Sequence, residues 1–268
     1  MSATGSPWDL LLVGVVSVQV TLVAYLPAPR WKAVVLCLPF PFTVVALGLG
    51  RPIDTTNLLG LPVILLYVHG VRLLHHRLRL PIVPAIALAV LGYCLVSWLA
   101  VRWLPMAPQG FWIWGAALCL LALLLHLRLA PRAERAHRTM LPIWLKLPVV
   151  VGVVCLLVAI KESLQGFATL FPMVSVVGAY ESRHSLWTFG RYMPVLMLTM
   201  APMMAVARLS QGTLGLGGGL ALGWCAFLAV FIPLLRHMWA AEEAISGGQR
   251  PAAASPVGPA RGATQPAD

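Results

Sequence analysis

Nine apolar stretches, each close to the length of a membrane-spanning helix, constrain the fold of this chain most strongly. A helix needs about 20 apolar residues to cross the hydrocarbon core of a bilayer. Backbone groups in hydrocarbon must pair within their own segment, which favours helices. The chain is therefore predicted to be an all-α polytopic membrane bundle of about nine transmembrane helices. The predicted spans are residues 8–26, 33–49, 58–74, 81–101, 111–127, 143–160, 167–186, 192–209 and 219–235.

The amino-acid composition agrees with a membrane protein. Of the 268 residues, 60% are hydrophobic and 10% are charged, whereas a soluble domain has about 25% charged residues. The net charge of +11 is spread over the edges of the spans. This placement indicates orientation in a bilayer rather than binding to nucleic acid. The expected partner is the lipid bilayer, with anionic lipids at the cytoplasmic face as a further partner.

Lysine and arginine are distributed unevenly between the two sides of the predicted spans. Fourteen of the nineteen lie in alternate connecting segments and in the tail. Short loops rich in these residues stay in the cytoplasm, so the N-terminus is predicted to lie outside the cell and the C-terminus inside. We expect the membrane to be a bacterial inner (plasma) membrane. The fourteen are Arg30, Lys32, Arg72, Arg77, Arg79, Arg128, Arg132, Arg135, Arg138, Arg183, Arg191, Arg236, Arg250 and Arg261.

The chain is predicted to consist of a transmembrane domain, residues 1–239, and a disordered cytoplasmic tail, residues 240–268, which is rich in Ala, Gly and Pro. Within the transmembrane domain, an offset of 110 residues aligns similar residues and preserves the order of the spans. This pattern favours one extra helix followed by two four-helix repeats, residues 31–127 and 143–239, which an even number of spans makes parallel. The aligned pairs are Arg51 with Lys161, Pro62 with Pro172 and Pro84 with Pro194.

The second unit carries a short motif of basic, polar and apolar residues. It runs from Leu145-Lys146 through Ile160-Lys161-Glu162 to a glycine-led apolar segment, 166–172, that ends in Phe171-Pro172. Over residues 143–210 this pattern resembles the GlpM family of small bacterial inner-membrane proteins. The resemblance implies a bacterial inner-membrane protein and no particular chemistry. The first unit departs from the pattern, with Leu61-Pro62 at the corresponding place.

Two polar breaks on the predicted outer side each place a base near an acid. One break contains Arg51, Asp54 and Asn57, and the other contains Lys161 and Glu162. Helix capping with local ion pairs is one interpretation, because an N-terminal polar side chain accepts hydrogen bonds from free backbone N–H groups. The alternative is a polar vestibule where the two units meet, in which these residues bind substrate.

On the predicted inner side, four ionisable residues are candidates for the same substrate site. His69 lies near the end of the third span, and Glu181, Arg183 and His184 end the seventh. Glu181 and His184 are three residues apart and would share one face of a helix. A carboxylate near a histidine at membrane depth is typical of an ion or proton relay. A shorter helix that leaves Glu181 exposed is the alternative.

Three glycines, Gly215, Gly219 and Gly223, recur every fourth residue at the start of the last span. This spacing predicts a face on which another helix packs closely. The sequence contains no motif for a catalytic nucleophile, no cluster of metal ligands and no cofactor-binding loop. We therefore predict no catalytic residues, no metal and no cofactor.

Three functions fit these features. The first is a small-molecule or ion carrier whose site lies between the two repeats. The second is a non-catalytic accessory or scaffold protein, which the glycine face favours. The third is an intramembrane enzyme that acts on a lipid-linked substrate through Glu181, Arg183 and His184. A homo-oligomer and a hetero-oligomer both remain open.

Overall fold

The computed structural model of the chain describes residues 7–26, 28–104, 109–130 and 163–248, with a few positions between 148 and 160. These residues are 88% helical and include no strand. Six helices among them are long and apolar enough to cross a membrane, which indicates a membrane-embedded helical protein. They are Pro7–Tyr25, Pro29–Leu49, Thr55–Arg77, Ile82–Trp103, Gly110–Arg128 and Leu186–Ala241.

The helices follow the predicted spans in order, with interruptions that the sequence did not predict. A π-helical turn, Leu73–Arg77, continues the helix Thr55–Arg72, and a 3-10 helix, Gln165–Leu170, precedes the helix Met173–Glu181. Most of the predicted span at 143–160 lies outside the described residues. The helices are α1 Pro7–Tyr25, α2 Pro29–Cys37, α3 Phe40–Leu49, α4 Thr55–Arg72, α5 Ile82–Trp103, α6 Gly110–Arg128, α7 Met173–Glu181, α8 Leu186–Arg191 and α9 Met193–Gly248.

The second predicted span is not one continuous helix. It consists of α2 and α3, which are separated at Leu38 and Pro39. Proline has no backbone N–H, so the carbonyls before it lose their helical partner. The side chain of Gln19 on α1 compensates: its Nε2 donates to Val35 O at 2.6 Å and to Leu38 O at 3.2 Å. The break is therefore held by a side chain from a neighbouring helix.

The seventh predicted span, residues 167–186, is also interrupted. It consists of the 3-10 helix, a break at Phe171 and Pro172, and α7, which ends at Glu181. The 110-residue offset aligns this segment with α4, yet α4 continues as a helix through Pro62. The two aligned segments therefore differ in structure.

Helix α9 contains the last two predicted spans and folds back on itself at Gly215, where φ is 69° and ψ is 172°. A Cβ added to Gly219 would lie 2.9 Å from Ala207 O, and one added to Gly223 would lie 2.8 Å from Met203 O. Because these glycines have no side chain, the two limbs of α9 pack with their backbones in close contact.

The chain divides into two compact units, residues 1–231 and residues 232–268, and the division falls within α9. The second unit is helical as far as Gly248, which extends beyond the predicted start of the tail at residue 240. Residues 249–268 lie outside the described residues.

Helix α4 forms the centre of the first unit. It contacts the 3-10 helix, α5, α6, α7 and α8, while α1 packs against α2, α3 and α7. At Gly60 the side chain of Leu170 approaches so closely that an added Cβ would lie 2.9 Å from its Cδ1. In contrast, only 28% of the residues in the 18-residue apolar stretch of α5 are buried, and only 17% of those in the corresponding stretch of α6. The remaining apolar surface suits contact with lipid.

Candidate functional site

The beginning of α4 carries a capping box. Asp54 Oδ1 accepts a hydrogen bond from Thr56 N at 2.8 Å, and Asn57 Oδ1 accepts one from Asp54 N at 2.9 Å. These bonds satisfy backbone N–H groups that have no partner within the helix. The sequence predicted such a cap at Asp54 and Asn57.

The same residues bind the 3-10 helix. Gly166 N donates to Thr56 Oγ1 at 3.0 Å, and Asn57 Nδ2 donates to Gly166 O at 3.3 Å and to Thr169 Oγ1 at 3.2 Å. A Cβ on Gly166 would fall on Thr56 Oγ1 and within 2.7 Å of Asn57 N. We call Asp54, Thr56, Asn57, Gly166 and Thr169 the first polar cluster. It joins the segments that follow the two predicted polar breaks.

Residues of α9 hold the loop before this cluster. Gln211 Oε1 accepts from Ile53 N at 2.8 Å, and Arg208 Nη1 donates to Ile53 O at 3.0 Å. Arg51 is exposed, and Lys161 and Glu162 lie outside the described residues. Sequence reasoning missed both Gln211 and Arg208. Neither position carries a local signal for this contact.

At the other end of α4, His69 and Arg72 pack against α8, which carries Arg191 and also contacts α2, the helix of Lys32. We call these four residues and Glu181, which Lys32 contacts, the second polar cluster. Lys32 is 2% exposed and Glu181 is 1% exposed. Lys32 Nζ donates to Glu181 O at 3.3 Å. The sequence placed Lys32 in a cytoplasmic loop and did not predict its burial. The structure brings these two charged residues together at the start of α2 and the end of α7.

The remaining cluster residues pack around α8. The Arg72 guanidinium lies 4.6 Å from the ring centroid of Trp187, and Arg191 Nε donates to Leu129 O at 3.2 Å. His69 packs against Gly190, where an added Cβ would lie 3.2 Å from His69 Cε1. A side chain at Gly190 would therefore require the His69 ring to move by a few tenths of an ångström.

The helical spacing predicted for Glu181 and His184 is wrong. Helix α7 ends at Glu181, and residues 182–184 form a turn. Arg183 lies over the ring of Tyr180 at 5.0 Å, whereas His184 is exposed. The three residues therefore do not share a helix face.

A cavity of about 50 Å³ borders both helix breaks and includes Thr169 of the first polar cluster in its lining. Ile64, midway along α4, faces it together with Leu38 and Phe171 from the breaks. Its polar side chains are Gln19, Thr169 and Ser175. Sequence reasoning missed Gln19 and Ser175. An amide in the middle of an apolar span was the available signal for Gln19, because such groups are costly in hydrocarbon.

No group of three or more His, Cys, Asp and Glu side chains among the described residues is placed to hold a metal ion. The five cysteines are free thiols. Comparison of the chain with models of known families, with curated proteins and with solved structures finds no match. The chain is a membrane-embedded helical protein with a partly open cavity at two helix breaks.

Proposed function

We propose that this protein is a membrane carrier for a small molecule or ion and that its substrate site is the cavity between the two broken helices. The observation that supports this most directly is that the break at Leu38 and the break at Phe171 border one cavity. Irregular backbone at membrane depth is tolerated where it lines a cavity. Carriers bind their substrates at such breaks, near the midplane of the bilayer.

The depth of the cavity favours this proposal. Helix α4 has 18 residues, which corresponds to a length of about 27 Å, close to the thickness of a bilayer core. Ile64 lies at its middle, while Asn57 and His69 lie near its two ends. A substrate in the cavity would therefore lie at mid-depth along α4, in contact with Thr169 of the first polar cluster. Alternating access requires the site to open to each side in turn.

The contacts also support the alternation of the two sides in the proposed topology, whose orientation, with the N-terminus outside and the C-terminus inside, rests on the charge distribution. Asn57 contacts Gly166, and both are assigned to the outer side by the charge distribution. Lys32 contacts Glu181, and both are assigned to the inner side. Each contact joins segment ends that the topology places on one surface.

Four further proposals rest on the sequence alone. These are nine spans, two parallel repeats, a relation to the GlpM family and a bacterial inner membrane. The scaffold function is less favoured, because Gly219 and Gly223 pack against the chain's own Ala207 and Met203. The enzyme function is less favoured too, because Glu181 is buried while His184 is exposed.

The topology is tested with reporter fusions after Arg79, Arg138 and Arg236. We expect a reporter that is active only in the cytoplasm to be active at all three positions, because Lys- and Arg-rich loops remain on that side. A fusion after Arg102, which ends a span on the opposite side, serves as the control and is expected to be inactive. An inactive reporter at any of the first three positions would contradict the topology, provided that the fusion is expressed.

The carrier function is tested by the accessibility of a cavity residue. In a variant that lacks the five native cysteines, Ser175→Cys is reconstituted in vesicles and treated with iodoacetamide, a small, uncharged thiol reagent. Ser175 is buried, so modification requires the cavity to open. We expect Ser175→Cys to react, because a carrier exposes its site to each side in turn.

The matched control is Val177→Cys, two residues further along α7. Val177 is also buried but does not line the cavity, so we expect it to stay unreactive in intact vesicles. A rigid scaffold would leave both positions unreactive. If Ser175→Cys is not modified, the proposed carrier function is wrong.

A further inference from the structure

The lining of the cavity discriminates between classes of solute. Fourteen of the described residues line it, and none of these fourteen is ionisable. Gln19, Thr169 and Ser175 are its polar side chains, and the others are apolar. From this lining we infer that the bound solute is a small, uncharged molecule that donates hydrogen bonds. The inference rests on the proposed carrier function and specifies its substrate class.

Gln19 supplies the acceptor for such a solute. Its Nε2 has two hydrogens, and both have acceptors in the α2–α3 break: Val35 O at 2.6 Å and Leu38 O at 3.2 Å. Its Oε1 is buried and receives no hydrogen bond from a described residue. Gln19 is 3% exposed. A buried carbonyl oxygen without a donor is costly, so a solute with an N–H or O–H group gains from binding if the Gln19 amide turns this oxygen towards the cavity as the solute enters.

The absence of ionisable groups from the cavity lining argues against an ionic substrate. An ion that enters loses its hydration, and no lining side chain among the described residues carries a compensating charge. Backbone carbonyls could replace water around a cation, but Val35 O and Leu38 O already accept hydrogen bonds from Gln19. The lining therefore selects a neutral solute.

The volume of the cavity limits the size of the solute. A cavity of about 50 Å³ has room for roughly four water molecules. This corresponds to a molecule with on the order of four to six non-hydrogen atoms. Urea and glycerol have this size, carry no charge and donate several hydrogen bonds, so they are suitable probes.

The experiment compares the uptake of labelled urea and glycerol with that of Na⁺ and K⁺ in vesicles that contain the full chain. Ile64→Phe enlarges a buried side chain that lines the cavity. Leu66→Phe makes a similar change two residues further along α4, where Leu66 is 60% exposed and does not line the cavity. We expect saturable uptake of urea or glycerol by the wild type and a decrease of about tenfold or more in Ile64→Phe, because added bulk in a small site excludes its ligand. Leu66→Phe should retain the wild-type rate.

Replacement of Gln19 is a second test, with its own control for folding. Gln19→Leu removes the acceptor but also the hydrogen bonds that hold the α2–α3 break, so its thermal unfolding is measured alongside uptake. Loss of neutral-solute uptake in a folded Gln19→Leu protein supports the inference. Retention of full uptake by either Gln19→Leu or Ile64→Phe overturns it.

The substrate class and the carrier function can fail separately. Uptake of Na⁺ or K⁺ without uptake of urea or glycerol overturns the inference and leaves the carrier function in place. If no solute crosses faster than in protein-free vesicles, the inference is wrong. The reactivity of Ser175→Cys then determines whether the carrier function fails with it.

Discussion

Gly166→Ala is expected to lower the free energy of unfolding by about 3 kcal/mol, through overpacking and the loss of hydrogen bonds. The new Cβ would fall on Thr56 Oγ1 and lie 2.7 Å from Asn57 N and 2.9 Å from Asn57 Cγ. One of these atoms belongs to the backbone of α4, so a side-chain rotation alone cannot relieve the clash. The 3-10 helix must move away, and its hydrogen bonds to Thr56 and Asn57 are then lost.

The matched control for this change is Gly70→Ala on α4. An added Cβ at Gly70 meets no atom within 4 Å, and alanine favours a helix over glycine by about 1 kcal/mol. We therefore expect Gly70→Ala to be neutral or slightly stabilising. Both variants are compared by reversible unfolding in mixed detergent micelles. Equal stabilities of the two variants would show that the approach of Gly166 to α4 is not close in solution.

Lys32→Met is expected to destabilise the protein by about 2 kcal/mol, because it removes a charged donor that is hydrogen-bonded to a buried main-chain oxygen. Lys32 and Glu181 are both buried, and Lys32 Nζ donates to Glu181 O. Without the ammonium group, the main-chain oxygen of Glu181 loses this hydrogen bond. Glu181→Gln keeps that oxygen and removes the side-chain charge, so it tests whether the buried side chain of Glu181 also interacts with Lys32.

The double variant Lys32→Met/Glu181→Gln separates pairing from simple loss of packing. If the two charges stabilise each other, the double variant loses less stability than the sum of the two single variants. Arg30→Met, two residues earlier and exposed, is the control and is expected to change stability by less than about 0.5 kcal/mol. Strict additivity of the two single effects would show that the charges are not coupled.

The position of the helices could be predicted from the sequence because hydrocarbon imposes a minimum apolar length on any crossing segment. The cap of α4 was also predictable, since Asp54 and Asn57 satisfy the backbone within one turn of the chain. Both features depend on residues that are close in sequence. Local chemistry was sufficient for them.

The two helix breaks could not be predicted, because a proline within a span does not by itself decide between a kink and a break. Helix α4 continues through Pro62, whereas the chain is interrupted at Pro39 and Pro172. At Pro39 the amide of Gln19 supplies the missing hydrogen bonds from another helix. The burial of Lys32 depends in the same way on a residue distant in sequence, Glu181.

If the cavity binds a solute as proposed, the place of α1 in the molecule determines how many solutes one chain binds. The sequence suggested that this helix was an addition to two repeated units. In the structure α1 packs against α3 and α7 and carries Gln19, which holds only the break between α2 and α3. Even if the rest of the chain arose by duplication, this amide occurs once. The expected stoichiometry is therefore one solute molecule per chain, not one per repeat.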